Sequence, residues 1–201
     1  MAKHLRKGEV LIELDPTINA AEEKHLESDL IAAQLDVARL RATLSDGDAL
    51  ANFQPPEGAP PALVATQRKF LADQTAEHQA KLAVLDRQRA QKEAERATTT
   101  ATVDKLEASL PVMQERLDIR KTLYDHSTGS KASYLELLQA FVEEQHNLEI
   151  EKSKINEANS AVAAIVEECS HTDEEYRRER FSELVEAERK ARGMTMLPSI
   201  G

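Results

Sequence analysis

The chain has 201 residues, of which 31% are charged, 41% are hydrophobic and only 3% are aromatic. Its sequence contains no Trp and is dominated by Ala, Leu, Glu, Lys, Gln and Arg, which is typical of long helices rather than of compact domains with large cores. The formal charge of −10 argues against a general nucleic-acid surface, because phosphate binding needs a basic stripe. The single cysteine, Cys169, excludes an internal disulfide.

A short β strand is predicted within residues 5–14. Val10, Ile12 and Leu14 alternate along it with residues that would face the other side. One strand cannot satisfy its own edges, and the sequence offers no obvious second strand. We therefore expect its partner to lie outside this chain.

A first helix is predicted over 16–46, with either Asp15 or Thr17 as its N-cap. Apolar residues recur along it in steps of four and three, which is the spacing of a coiled-coil seam. This seam consists of Leu26, Leu30, Ala33, Val37, Leu40 and Leu44.

A proline-rich loop is predicted over 47–61. The turn Asp46-Gly47-Asp48 ends the first helix, and the pairs Pro55-Pro56 and Pro60-Pro61 exclude helix between them. We expect this loop to lie on the surface and to be partly extended.

A long α-helical hairpin is predicted over 62–192, with its tip near 125–131, and residues 193–201 are predicted to form a tail. About 64 residues precede the break and about 62 follow it, so each arm would be roughly 95 Å long. Arms of equal length are what an antiparallel hairpin requires. The predicted seams contain Val103, Leu106, Leu110, Met113, Leu117, Arg120 and Tyr124 before the tip, and Tyr134, Leu138, Phe141, Leu148, Ile155, Val162, Val166 and Tyr176 after it.

Two residues should disturb this hairpin. Pro111 removes one hydrogen bond and should kink its helix or split it, with Ser109 as a possible new N-cap. Gly129 suits a left-handed position at the tip, after which Ser130 or Ser133 can cap the next helix. The predicted fold is thus mainly α, an elongated antiparallel coiled-coil hairpin with a shorter third helix and a short N-terminal strand.

No motif for catalysis is evident. No two of the six histidines are close in sequence, so neither HExxH nor an i, i+4 metal site is present. Adjacent glutamates point about 100° apart on a helix and would stay solvated. A two-helix hairpin also lacks a cleft that excludes water. We therefore expect no enzymatic activity, no metal or cofactor, and neither a small-molecule substrate nor nucleic acid.

The tip of the hairpin is the remaining candidate for a functional surface. A long hairpin acts as a spacer, and little else in the chain could bind a partner. We predict that the side chains around the turn form a docking surface as a group. These are Arg116, Leu117, Asp118, Arg120, Leu123, Tyr124, Ser130, Lys131, Tyr134 and Leu135.

Two segments together resemble a known family. Residues 7–15, Lys-Gly-Glu-Val-Leu-Ile-Glu-Leu-Asp, are similar to the end of the first lipoyl half-motif of membrane fusion proteins, where a KGxxLxxLD strand leads into a coiled coil. The proline-rich break before the long hairpin is also similar. Around the turn, Arg116-Leu117-Asp118, Leu123, Lys131, Leu135 and Glu136 resemble the tip of the HlyD-type adaptors of type I secretion systems.

This resemblance implies a periplasmic adaptor that links an inner-membrane ABC transporter to a TolC-class outer-membrane channel for one-step protein secretion. Such adaptors self-associate into a ring, and the tip of the hairpin docks on the channel. Residues 1–15 would be a partial lipoyl-like half-motif within a longer, inner-membrane-anchored protein. The contacts implied by the family pattern are Arg116, Leu117, Arg120, Leu123, Ser130 and Lys131.

Two alternatives stay open. Drug-efflux adaptors have the same architecture and a different pump as partner, although a first helix of this length followed by a proline-rich break favours secretion. A cytoplasmic coiled-coil scaffold would self-associate without a channel. The lipoyl-like strand argues against a scaffold, which has no need to begin with an isolated strand.

Overall fold

A computed structural model of the chain describes residues 16–195, with side chains from residue 22 onward. This part of the chain contains helices and no strand, and α3 and α4 form a long helical hairpin. The predicted mainly α class is therefore confirmed, whereas the strand predicted within 5–14 lies outside the described residues. The helices are α1 (Pro16–Leu44), α2 (Ala49–Asn52), α3 (Pro61–Asp125) and α4 (Lys131–Thr195).

The described chain divides into two compact units. The first contains α1, α2, α3 up to residue 78 and α4 from residue 175, and the second spans residues 79–174. The core of the first unit joins helices distant in sequence, because Leu35 of α1 and Leu71 of α3 are fully buried together. Ala42, Ala49 and Phe53 complete this core.

The predicted loop between α1 and α3 is not entirely a surface loop. Asp48 caps α2, since its carboxylate accepts a hydrogen bond from the amide of Leu50 at 2.9 Å. The Phe53 side chain, directly after α2, is buried in the core of the first unit. Burial of Phe53 thus holds the proline-rich segment against the helices. The proline content of the segment had indicated a surface loop instead.

The second unit is an antiparallel helix pair around a narrow seam. Val103 and Leu106 of α3 are buried with Leu148 of α4, and Leu110 and Ile155 pack against them. Such a stripe is what heptad spacing places on one face of a helix. Leu117 and Phe141 are also buried in this unit, nearer the turn.

Pro111 lies inside α3 and does not split it. The expected new N-cap is absent, because the Ser109 hydroxyl donates to the carbonyl of Leu106 at 3.1 Å, within the same helix. A proline inside a helix costs about 3 kcal/mol, and the packing of seam residues on both sides of Pro111 offsets that cost. Tertiary packing therefore overrides the expected break.

Candidate docking surface at the hairpin tip

The end of α3 is closed by a hydrogen-bonded turn. The amide of Ser127 donates to the carbonyl of Tyr124, and that of Thr128 donates to the carbonyl of Leu123, both at 2.9 Å. This is the Schellman pattern, with Ser127 in the left-handed region at φ 56°. The left-handed position predicted for Gly129 is therefore wrong and belongs to Ser127.

Gly129 is required by close packing rather than by its φ angle. A Cβ atom on this residue would lie 3.0 Å from the backbone carbonyl carbon of Leu123 and 3.0 Å from the amide nitrogen of Tyr124. Its own amide also donates to the Leu123 carbonyl at 2.9 Å. A Cβ atom at this distance would require the end of α3 to shift by a few tenths of an ångström, and glycine avoids that shift.

The two helices also meet through aromatic rings next to the turn. Tyr124 of α3 and Tyr134 of α4 stack with ring centroids 6.0 Å apart and an angle of 3° between their planes. Offset stacking of this kind adds to the burial of the rings. The hydrogen-bonded turn and this pair together fix the positions from which the surrounding side chains project.

The structure exposes five of the six predicted contact residues. Leu117 is the exception: it faces the seam and is only 6% exposed, so its side chain is unavailable to a partner. A residue at a heptad position packs against the facing helix, so its side chain cannot also contact another protein. The exposed residues are Arg116, Arg120, Leu123, Ser130 and Lys131.

The basic residues of this surface have no ion-pair partner among residues 22–195. No ion pair described for residues 22–195 includes Arg116, Arg120, Lys121 or Lys131. Their charges are solvated and free to meet acceptors on another molecule.

An exposed apolar stripe lies beside these cations, and of its residues only Leu123 was predicted as a contact. Val112 and Ile119 are 56% and 55% exposed, and Leu123 is 40% exposed. Steps of seven and four place these residues on one face of α3, away from the seam. The signal was present in the sequence, where these apolar residues fall outside the heptad positions. A shallow groove of about 530 Å³ follows this face and is lined by Pro111, Gln114, Glu115, Asp118, Ile119, Thr122 and Leu123.

The start of α4 adds apolar surface of its own. Leu135 is 48% exposed and Val142 is 40% exposed, one heptad apart on the same face of α4. A surface that combines exposed aliphatic side chains with arginines is typical of a protein–protein interface. The tip therefore suits a protein partner better than a small molecule.

Away from the tip, the described residues form no metal site. No three His, Cys, Asp or Glu side chains among the described residues are grouped so that they could share a metal ion. Cys169 is a half-buried free thiol on α4. None of the helices described is apolar enough over sufficient length to cross a membrane.

The architecture is that of a known family of long α-helical hairpins. The family described as "AprE, long alpha-helical hairpin" matches residues 19–195, and the chain belongs to this family. The structure is similar to the crystal structure of the soluble domain of LipC, a membrane fusion protein of a type I secretion system, with a TM-score of 0.80 and 14% sequence identity. That similarity covers 94% of this chain and 91% of the LipC chain. A search of curated protein sequences found no match. The resemblance inferred from the sequence is confirmed.

Proposed function

We propose that this chain is the hairpin segment of a periplasmic adaptor that links an inner-membrane ABC transporter to a TolC-class outer-membrane channel for one-step protein secretion. The observation that carries the proposal is the tip, where unpaired cations and exposed aliphatic side chains surround a fixed turn. Membership of the AprE hairpin family supports it, and so does the similarity to LipC, itself a membrane fusion protein of a type I secretion system.

The tip is proposed to dock on the channel. Arg116 and Arg120 are one helical turn apart on α3 and would pair with carboxylates or carbonyls of the partner. Leu123 and Ile119 would fill an apolar recess at the centre of the contact, with Lys131 at its rim. In this arrangement the seam residue Leu117 holds α3 in place and makes no contact itself.

The remaining features of the proposal follow from the same role. The adaptor would have no catalytic activity and need no cofactor, since its role is to link the transporter to the channel. Residues 1–15 would be a partial lipoyl-like half-motif of a longer inner-membrane-anchored protein, and several copies would assemble into a ring. The boundaries proposed from the sequence are kept in this scheme: 16–46, 47–61, 62–192 and 193–201.

Charge reversal at the tip tests the proposal. The double substitution Arg116→Glu/Arg120→Glu in the full-length adaptor should abolish export while helix content and membrane assembly stay unchanged. The matched control is Arg87→Glu/Lys105→Glu, which reverses two exposed cations elsewhere on α3 and should leave export intact. Normal export by the tip variant, at wild-type protein levels, would refute docking through this surface.

A further inference from the structure

The seam of α3 changes character in its middle. Leu85 and Val103 are both buried, and the seam positions between them continue in steps of three and four. No residue of 86–102 is buried. The four half-buried residues that occupy the seam there are Arg89, Lys92, Arg96 and Thr99.

The facing part of α4 is apolar but only half-buried. Arg96 of α3 donates a hydrogen bond to the amide oxygen of Asn159 at 3.1 Å, which places residues 86–102 opposite roughly 155–171 in the antiparallel pair. No residue of 155–171 is buried either. Its inward positions are half-buried small or aliphatic residues with only basic side chains and one threonine across from them. These are Ala158, Val162, Ile165 and Cys169. Ile155, at the end of the segment, still packs against the core formed by Val103, Leu106 and Leu148.

The seam cations form their ion pairs along α3 and not across to α4. Arg89 pairs with Asp86 at 3.3 Å and with Glu93 at 3.9 Å. Lys92 pairs with Glu95 at 2.7 Å, and the hydrogen bond from Lys92 lowers the pKa of that carboxyl. Their charged ends therefore stay in water while only the aliphatic stems cover α4.

Very little else joins the helices here. Within the described segment 86–102, the Arg96–Asn159 hydrogen bond is the single side-chain hydrogen bond that crosses to α4, and it is exposed. An exposed neutral hydrogen bond contributes far less than a buried leucine pair. The two helices are therefore held together less tightly in this segment than in the seam beyond Val103.

The backbone of α3 is also weakened in the same place. The hydroxyls of Thr98, Thr99, Thr100 and Thr102 each donate to the carbonyl four residues earlier, at 2.9 to 3.2 Å. Such back-bonding competes with the helical hydrogen bond and favours bending, and threonine has a low helix propensity.

We propose that residues 86–102 of α3 and 155–171 of α4 form a compliant segment, at which the hairpin opens and bends more readily than in the seam on its tip side. Local stability follows the density of buried apolar contacts, which is lower here than between Val103 and Leu117. The segment gives the second unit a built-in point of flexure. This inference does not depend on which partners the tip binds.

Hydrogen exchange measured by mass spectrometry tests the opening. Amides of 86–102 should exchange at least about tenfold faster than those of 103–117. The variant Arg89→Leu/Lys92→Leu/Arg96→Leu/Thr99→Leu completes the apolar seam and should slow their exchange to the level of 103–117. The control Gln88→Leu/Gln91→Leu places leucines at exposed positions and should leave the rates unchanged. Equal protection of the two segments in the native chain would overturn the proposal, and so would equal slowing by the control.

A distance measurement tests the bending. Spin labels at Val84→Cys and Lys121→Cys, in a Cys169→Ser background, span the compliant segment along α3 at about 55 Å if the helix is straight. The distance distribution should be broad and should narrow when the four leucines are introduced. If the distance distribution of the native chain is already as narrow as that of the four-leucine variant, flexure at this segment is overturned.

Discussion

The guanidinium carbon of Arg39 lies 4.6 Å from the centroid of the Phe70 ring, so that a buried cation of α1 rests on an aromatic face of α3. Its Nη1 also donates to the amide oxygen of Gln74 at 3.2 Å. Its Nη2 lies 3.8 Å from Oδ1 of Asp36. Burial lowers the pKa of Arg39, while the charge of Asp36 opposes that effect. The stem and the planar head of this one side chain thus pack α1 against α3.

Replacing Arg39 should separate its packing role from its charge. Arg39→Ala removes both and should lower the free energy of unfolding by about 2–3 kcal/mol. Arg39→Met keeps an unbranched apolar chain in the same place and should cost less than about 1.5 kcal/mol, because the buried charge disappears with its desolvation penalty. Urea unfolding measures both. Equal losses in the two variants would contradict the packing role.

Leu71 should be among the costliest positions to truncate. Its side chain is 0% exposed in the core of the first unit, so Leu71→Ala should reduce the free energy of unfolding by about 3 kcal/mol. Phe181 is 59% exposed on α4, and Phe181→Ala should cost less than about 0.5 kcal/mol. Thermal and urea unfolding of the two variants test this contrast, which similar losses would contradict.

Ser127→Gly should stabilise the hairpin. Ser127 has φ 56°, a conformation that costs a residue with a Cβ atom about 1 kcal/mol and costs glycine little. The gain should be about 0.5–1 kcal/mol, somewhat reduced by the greater freedom of glycine in the unfolded chain. Chemical denaturation measures the change in the free energy of unfolding. A loss of stability would show that the serine side chain contributes more than its backbone strain costs.

Gly129→Ala should have the opposite effect. The added Cβ would press on the backbone at the end of α3, and we expect a loss of about 1–2 kcal/mol together with faster exchange at the turn amides. Gly193 provides the matched control, since nothing lies within 4 Å of a Cβ placed there and alanine is the better helix former. A neutral Gly129→Ala variant would mean that the turn relaxes freely.

Arg41 and Glu188 predict a pH dependence within the first unit. Arg41 Nη2 lies 2.7 Å from Glu188 Oε1, and this hydrogen bond is the main reason that the pKa of Glu188 is lowered from 4.5. A carboxyl whose pKa is lower in the folded state stabilises the fold above its unfolded pKa and loses that contribution as the pH falls through the folded value. Stability should therefore drop below pH 4.5, and Arg41→Met should make that drop shallower. Urea midpoints between pH 7 and pH 3 check the slope, and parallel curves would contradict the coupling.

Much of this architecture could be predicted because heptad spacing is a local property of the sequence. In the predicted seam, Val103, Leu106 and Leu117 are buried, and Leu110 and Met113 between them are half-buried. The long hairpin follows from this spacing. What escaped prediction depends on contacts between distant segments. Phe53 is buried only because α1 and α3 meet beside it, and Pro111 is tolerated only because α4 supports the helix on both sides.

The tip shows the same division on a smaller scale. The sequence indicated which residues lie near the turn but could not separate Leu117, which is buried in the seam, from Leu123, which is exposed. It also assigned the left-handed position to Gly129 from glycine's preference alone. The hydrogen bonds that put Ser127 there form between residues three and five apart, and their register depends on where α3 ends.

The turn at Ser127 also sets the order in which the chain can fold. Tyr124 and Tyr134 are about ten residues apart, whereas Arg41 and Glu188 are separated by 147 positions, and the entropy of closing a loop grows with its length. Contacts should therefore form first beside the turn and spread outward as a zipper, with α1 joining α4 last. During synthesis on the ribosome, Arg41 cannot pair with Glu188 until nearly the entire chain has emerged. Until then Arg41 lacks its carboxylate partner, whereas Leu35 of the same helix can already pack against Leu71 of α3.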